Sequence, residues 1–183
     1  MSTSFPKAKF LSRGYDRHAV DDFFAEARRA YEGGMPAEQF SSEQVRRAVF
    51  ERRSGGYDME AVDQAMNRLE AAFVQRDRAD HVAVNGEAAW YNQVADRATT
   101  LYPRLRRPHG QRFAHPKRGK GYRMEEVDAL LDRLVAYFDG QEQVTADELR
   151  SVTFPAARGK KAYDEGVVDA FLSRAIEILL AVS

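Results

Sequence analysis

The sequence predicts an all-α fold of four loop-plus-helix repeats, arranged as two pseudo-twofold pairs joined by a central helical connector. One phrase recurs four times: a Phe, a short basic stretch, a small residue followed by Tyr, then Val-Asp five residues on. It reads Phe5…Gly14-Tyr15…Val20-Asp21, Phe50…Gly56-Tyr57…Val62-Asp63, Phe113…Gly121-Tyr122…Val127-Asp128 and Phe154…Ala162-Tyr163…Val168-Asp169. Copies of a unit this small cannot each bury an apolar face alone, so they must pack on one another. The tyrosines lie close within the first two and the last two copies and farther apart between them, which marks a duplicated duplication. Counted from each Val, apolar or small residues recur at +3, +4, +7 and +11, the stripe of an amphipathic helix.

Taken in order, repeat one spans 1–33. Asp16 stands where a short acceptor side chain caps a helix N-terminus, and Phe23, Phe24, Ala27 and Tyr31 form the stripe. Repeat two, 41–82, opens with a capping box, Ser41 with Gln44, ahead of a short helix; Asp58 then caps the main helix, with Ala65, Met66, Leu69 and Phe73 as its stripe. Residues 83–112 form a helical and basic connector. Apolar positions from Val82 to Leu101 are unevenly spaced around Asn85-Gly86, so 74–103 reads as one bent helix or two shorter ones. The basic run Arg104 to Arg112, with Pro108 and Gly110, is the expected flexible boundary between halves.

Repeat three, 113–140, carries Leu130, Leu131, Leu134 and Phe138, but Arg123 follows its tyrosine, so this copy should lack the cap. Repeat four, 145–183, repeats the capping-box arrangement with Thr145 and Glu148, then Asp164 as cap and Phe171, Leu172, Ala175 and Leu179 as stripe. Deep burial is expected for Leu69, Leu131, Leu134, Phe138 and Leu172. The glycine before three of the tyrosines points to a turn that a Cβ would hinder, although Ala162 shows that positive φ is not obligatory. Each Phe should plug its turn onto the stripe. The Asp after each Val should partner a neighbouring repeat's Arg or loop amides rather than act as a catalytic acid.

Lysine plus arginine balance aspartate plus glutamate at 28 each, so net charge names no partner, but the distribution is uneven. The loops leading into the four tyrosines are strongly basic and hold a single acid, Glu51, while the other acids lie in the helices between. That pattern predicts a positive face and a negative one. Cysteine is absent, which removes disulfide and thiolate chemistry. The first ten residues lack an apolar signal core, and no aliphatic run is long enough for a membrane span; a cytoplasmic protein is expected, with peripheral attachment at the inner face of the cell membrane as the extension of that reading.

The combined phrase, Phe…Arg-Gly-Tyr-Asp…Val-Asp-x-Phe-Phe in repeat one and its counterparts, resembles the N-terminal domain of the bacterial DivIVA family. That resemblance implies a non-catalytic scaffold or adaptor in cell division or polar growth, bound to anionic membrane, to cell-division or wall-growth proteins, or to both. It also implies a membrane tip in which Phe10 and Leu11 are the apolar wedge and Lys7, Lys9 and Arg13 the attracting charges. The other loops keep the charge without the wedge: Arg52 and Arg53, then Lys117, Arg118 and Lys120, then Arg158, Lys160 and Lys161. The family's coiled coil is missing, since no segment sustains heptads. Pairing should therefore occur within the chain, giving a monomer or weak oligomer.

Two alternatives stand beside this reading: a protein-binding module without membrane contact, and a nucleic-acid-binding protein that grips phosphates with its basic loops. No Gly-rich phosphate loop, recurring nucleophile and base, or histidine cluster is present, so no catalytic residue, metal or cofactor is assigned.

Overall fold

The computed structural model describes residues 5–9, 12–36 and 39–183. The chain divides into two compact units, one ending at Asp80 and the other spanning His81–Ser183. In the first unit, β1 (Arg13–Tyr15) leads into α1 (Arg17–Tyr31), and α2 (Ser42–Arg47) and β2 (Arg52–Ser54) lead into α3 (Met59–Asn85). The second unit adds α4 (Glu87–Thr99) and α5 (Tyr102–Leu105) to the same plan: β3 (Lys120–Arg123) and α6 (Met124–Phe138), then α7 (Ala146–Ser151), β4 (Ala156–Arg158), a 3₁₀ turn, β5 (Ala162–Tyr163) and α8 (Glu165–Val182).

The all-α expectation is corrected: the protein is mostly helical but carries, among the described residues, five short strands in two antiparallel sheets. In the first unit β1 pairs with β2, with Gly14 opposite Arg53 and Tyr15 opposite Arg52. In the second, β3 lies between β4 and β5, with Lys120 opposite Arg158 and Tyr122 opposite Tyr163. The physical reason is the main chain of the basic loops. Buried N–H and C=O groups need partners, and each loop finds them on the loop of the neighbouring repeat. Strands of two to four residues are too short to show a period-two pattern, so the sequence read as loop.

The expected central connector is also corrected. Helix α3 runs unbroken to Asn85 and ends at Gly86, whose φ of 84° suits glycine; α4 then starts afresh and packs on α8. The Trp90 indole N–H donates to the Ala181 carbonyl at 3.0 Å, and Leu101 and Leu105 are buried. Residues 104–112 are no flexible boundary, because Arg112 is only 4% exposed and donates four hydrogen bonds from its backbone and side chain.

The helix caps follow the sequence. Asp16, Asp58 and Asp164 accept from Ala19, Ala61 and Val167 N–H at 3.0, 3.0 and 3.2 Å, while Arg123 makes no side-chain cap. Ser41 and Gln44 form the full capping box; Thr145 accepts from Glu148 N–H, but the Glu148 carboxylate turns away to Arg133.

The core is the stripe. Val20, Val62, Val127 and Val168 are fully buried, and so are Leu131 and Leu134, with Leu172 nearly so. Leu69 and Phe138 are half-buried rather than deeply buried, and Tyr31 is 47% exposed, so the far end of the stripe reaches the surface. Leu131→Ala should lower unfolding stability by about 2 to 5 kcal/mol, the range for a large-to-small change in a close-packed core. The same change at half-buried Leu69 should cost less; denaturant titration of the two variants checks the order.

Candidate functional site

The residues shared by the four copies meet in a reciprocal clasp. Tyr57 of repeat two donates its hydroxyl to Asp21 of repeat one at 3.0 Å and packs edge-on against Phe5, 5.4 Å between ring centroids. In return, Tyr15 of repeat one lies close enough to the Asp63 carboxylate for it to raise the hydroxyl's pKa, and packs on Phe50 of repeat two at 5.5 Å. The second unit repeats the exchange: Tyr163 donates to Asp128 at 3.0 Å and meets Phe113 at 5.3 Å, while Tyr122 lies near the Asp169 carboxylate, which raises its hydroxyl's pKa, and meets Phe154 at 5.1 Å. Each Phe and each Val-Asp thus grips the partner repeat's tyrosine.

Between the paired tyrosines the backbones nearly touch. Tyr15 and Tyr57 exchange N–H···O bonds at 3.0 and 2.9 Å. A Cβ at Gly14, Gly56 or Gly121 would fall inside contact with the carbonyl oxygen of Tyr57, Tyr15 or Tyr163 respectively. Glycine is needed there for close approach; none of the three has a positive φ. Burial, reinforced by the neighbouring carboxylate, pushes the Tyr15 and Tyr122 hydroxyls up and takes Tyr163 up to about 12. Burial likewise raises Asp63.

The clasps differ in what surrounds them. Asp128 is 3% exposed and accepts from Gly110 N–H at 2.8 Å as well as from Tyr163. The Arg112 guanidinium lies 3.8 Å from it, donates to the Asp128 carbonyl at 2.7 Å and reaches Asp132 at 2.6 Å, where His109 also binds at 2.9 Å. Over Asp21, the equivalent position, a groove of about 400 Å³ stands open, lined by Asp16, Arg17, His18, Asp21, Arg53 and the Ser54-to-Gly56 turn. Arg17 stacks over the Tyr57 ring at 5.4 Å and makes no ion pair with Asp21 among the described residues. Sequence reasoning missed Arg112, Asp128 and Asp132 as one network. The available signal was the spacing: Asp128 and Asp132 share a helix face at i, i+4, and Arg112 directly precedes Phe113.

The basic loops gather at the paired strands. In the first unit Lys7, Lys9, Arg13, Arg52 and Arg53 are exposed; Lys7 bridges to Tyr57, and Arg53 binds Asp16 at 2.5 Å and Glu51 at 3.2 Å. Phe10 and Leu11, the expected wedge, lie outside the described residues. In the second unit Lys117, Arg118, Lys120, Arg158, Lys160 and Lys161 are all exposed, and none has a carboxylate partner among the described residues. Lys120 sits directly opposite Arg158, a like-charge cross-strand pair that opposes strand pairing.

No set of three His, Cys, Asp or Glu side chains placed to hold a metal occurs among the described residues. His109 faces Asp132, and His115 faces the Ala162 carbonyl at 2.9 Å. Compared with protein-family models, curated proteins and solved structures, the chain matches none.

Two outcomes follow from this geometry. Gly121→Ala drives a Cβ into the Tyr163 backbone, so it should abolish the folded second unit or lower its melting temperature sharply, whereas Ala162→Gly should cost only about 1 kcal/mol. Asp132 is pulled upward by burial and downward, more strongly, by hydrogen bonds from Arg112 and His109, so its folded pKa lies below the unfolded value of 3.8. Its contribution to stability is therefore full above that value and is lost as pH falls through the folded pKa. Asp132→Asn should flatten the acid limb of a stability-versus-pH curve below pH 3.8 and leave its neutral part parallel to the parent.

Proposed function

We propose that the protein is a non-catalytic adaptor, DivIVA-like in its repeat, whose basic ends seat on an anionic membrane surface in bacterial cell division or polar growth. The observation that carries this reading is the end of the second unit. Six exposed cations project there from two neighbouring repeats without carboxylate partners among the described residues. Lipid headgroups supply the missing counter-charge, at about 1 kcal/mol per basic residue near an anionic bilayer. Among the described residues no helix is long and apolar enough to cross a membrane, and the attachment proposed is peripheral. Charge alone gives reversible binding that weakens as salt shortens the screening length.

Co-sedimentation with anionic and neutral vesicles, set against DNA retention over a salt series, tests the reading. Binding to anionic vesicles that is lost in Lys120→Glu with Arg158→Glu is expected. Retention of DNA without vesicle binding would turn the assignment to nucleic acid, and binding to neither would leave only a protein partner.

A second reading is favoured by the groove over Asp21. The second unit has an equivalent groove of about 340 Å³, but its Asp128 carboxylate already accepts from the Gly110 amide and lies 3.8 Å from the Arg112 guanidinium. In the first unit the Asp21 carboxylate accepts from the Tyr57 hydroxyl alone among the described residues and faces open space, a place for an arginine side chain of a partner protein. A basic peptide should bind the parent chain and lose most of its affinity to Asp21→Asn, which keeps the hydrogen-bonding shape and removes the charge; equal binding to both would remove this groove from the account.

A further inference from the structure

The second unit has an apolar groove of about 480 Å³ lined by Tyr91, Val94 and Ala98 of α4, Tyr102 of α5, Phe138 of α6 and Val182 of α8, with Tyr137 and Ile178 closing its sides. The repeat alignment says what such a groove holds, because the first unit carries the corresponding place already filled. Counted from the motif valines, Tyr31 matches Phe138, Ala30 matches Tyr137, Phe73 matches Leu179 and Arg76 matches Val182. In the first unit the Arg76 guanidinium lies over the rings of Phe73 and Tyr31, at 5.0 and 5.6 Å, and donates to the Ala30 carbonyl at 2.7 Å. That carbonyl also accepts from Gly33 N–H, so the arginine takes its second lone pair at the C-terminal end of α1.

The second unit keeps the seat and lacks the occupant. Phe138 and Tyr102 pack at 5.8 Å, an aromatic pair in place of Tyr31 and Phe73. The Tyr137 carbonyl accepts from Gly140 N–H, as Ala30 does from Gly33, and no side-chain donor reaches it among the described residues. Val182, 38% exposed, stands where the arginine would be, and α6 has no basic residue in its last turn whereas α1 has Arg28 and Arg29. Arg106 stacks over Tyr102 at 5.5 Å but does not line the groove.

We infer that this groove is a docking site for an arginine side chain of a partner polypeptide. The aliphatic stem would lie along Val94, Ala98 and Ile178, and the guanidinium would stack on Phe138 and Tyr102 with a donor aimed at the Tyr137 carbonyl. A planar guanidinium suits stacked aromatic walls and a carbonyl acceptor better than a compact, strongly hydrated ammonium does. The inference rests on the adaptor reading only in taking a polypeptide as the partner, and needs neither the lipid contact nor the groove over Asp21.

The test titrates the ¹⁵N-labelled full chain with N-acetyl-arginine amide, with the lysine and leucine amides as comparators, and follows backbone amide shifts by residue. Shifts are expected at Tyr91, Ala98, Tyr102, Phe138 and Val182 with the arginine amide, smaller ones with lysine and none with leucine. Val182→Arg, which restores the first unit's arrangement, should lose those shifts, and Phe138→Leu should lose the preference for arginine over lysine. Equal response to all three amides, no response, unchanged binding by Val182→Arg, or a retained preference in Phe138→Leu would overturn the inference. Shifts confined to residues around Asp21 would overturn it too, while leaving the other groove standing.

Discussion

Every feature of this fold depends on the hold that each repeat keeps on its neighbour's tyrosine. A hydroxyl buried without a partner is costly, and here those of Tyr57 and Tyr163 are each met by a carboxylate from the opposite repeat, those of half-buried Tyr15 and Tyr122 lie near one, and in all four cases a phenylalanine from that same repeat covers the ring. The exchange needs the two turns at backbone contact, which is why glycine precedes three of the tyrosines. Once the turns are in contact, the strands of the neighbouring loops pair and the motif valines at the head of each stripe are fully buried. The recurring phrase is therefore a pairing code.

That conclusion moves the search for function. What the four copies share builds the pairs, so individual activity has to reside where the copies differ. The two units differ in complementary ways. The second supplies Arg112 and Gly110 to its clasp and leaves the end of α6 open; the first supplies Arg76 to the end of α1 and leaves the groove over Asp21 open. Cations are likewise neutralised unevenly, with Arg53 bound to two carboxylates in the first unit and the six exposed cations of the second left facing solvent. Duplication gives two scaffolds of one design, and the divergence between them leaves surfaces with charge and shape suited to different contacts.

Much of this was legible in the sequence because it rests on periodic or local signals. The stripes needed only helical spacing, and the caps at Asp16, Asp58 and Asp164, with the missing one at Arg123, needed only a residue type at a fixed offset. The aspartate after each valine was read as a partner for the neighbouring repeat, but its acceptor role toward tyrosine was not, since nothing local joins residues 36 positions apart. The strands were missed because they are two to four residues long and owe their existence to long-range backbone pairing. Arg112 was placed in a flexible linker on the strength of Pro108, Gly110 and flanking charge; its burial follows from Asp128 and Asp132, which composition cannot bring to it.

The reciprocal clasp makes a claim about coupling, and a double-mutant cycle measures coupling directly. Asp128→Ala and Tyr163→Phe, singly and together, followed by denaturant unfolding of the full chain, isolate the bond between repeats three and four from the burial of either side chain. The same cycle on Asp21 and Tyr57 asks whether the first unit is built alike. The account predicts a coupling of about 1 kcal/mol or more in each pair, the magnitude of a hydrogen bond to a charged acceptor in a sheltered site. Additive losses in both pairs would mean that the repeats are held together by their helix stripes alone, and that the phrase repeated along the chain has some other purpose.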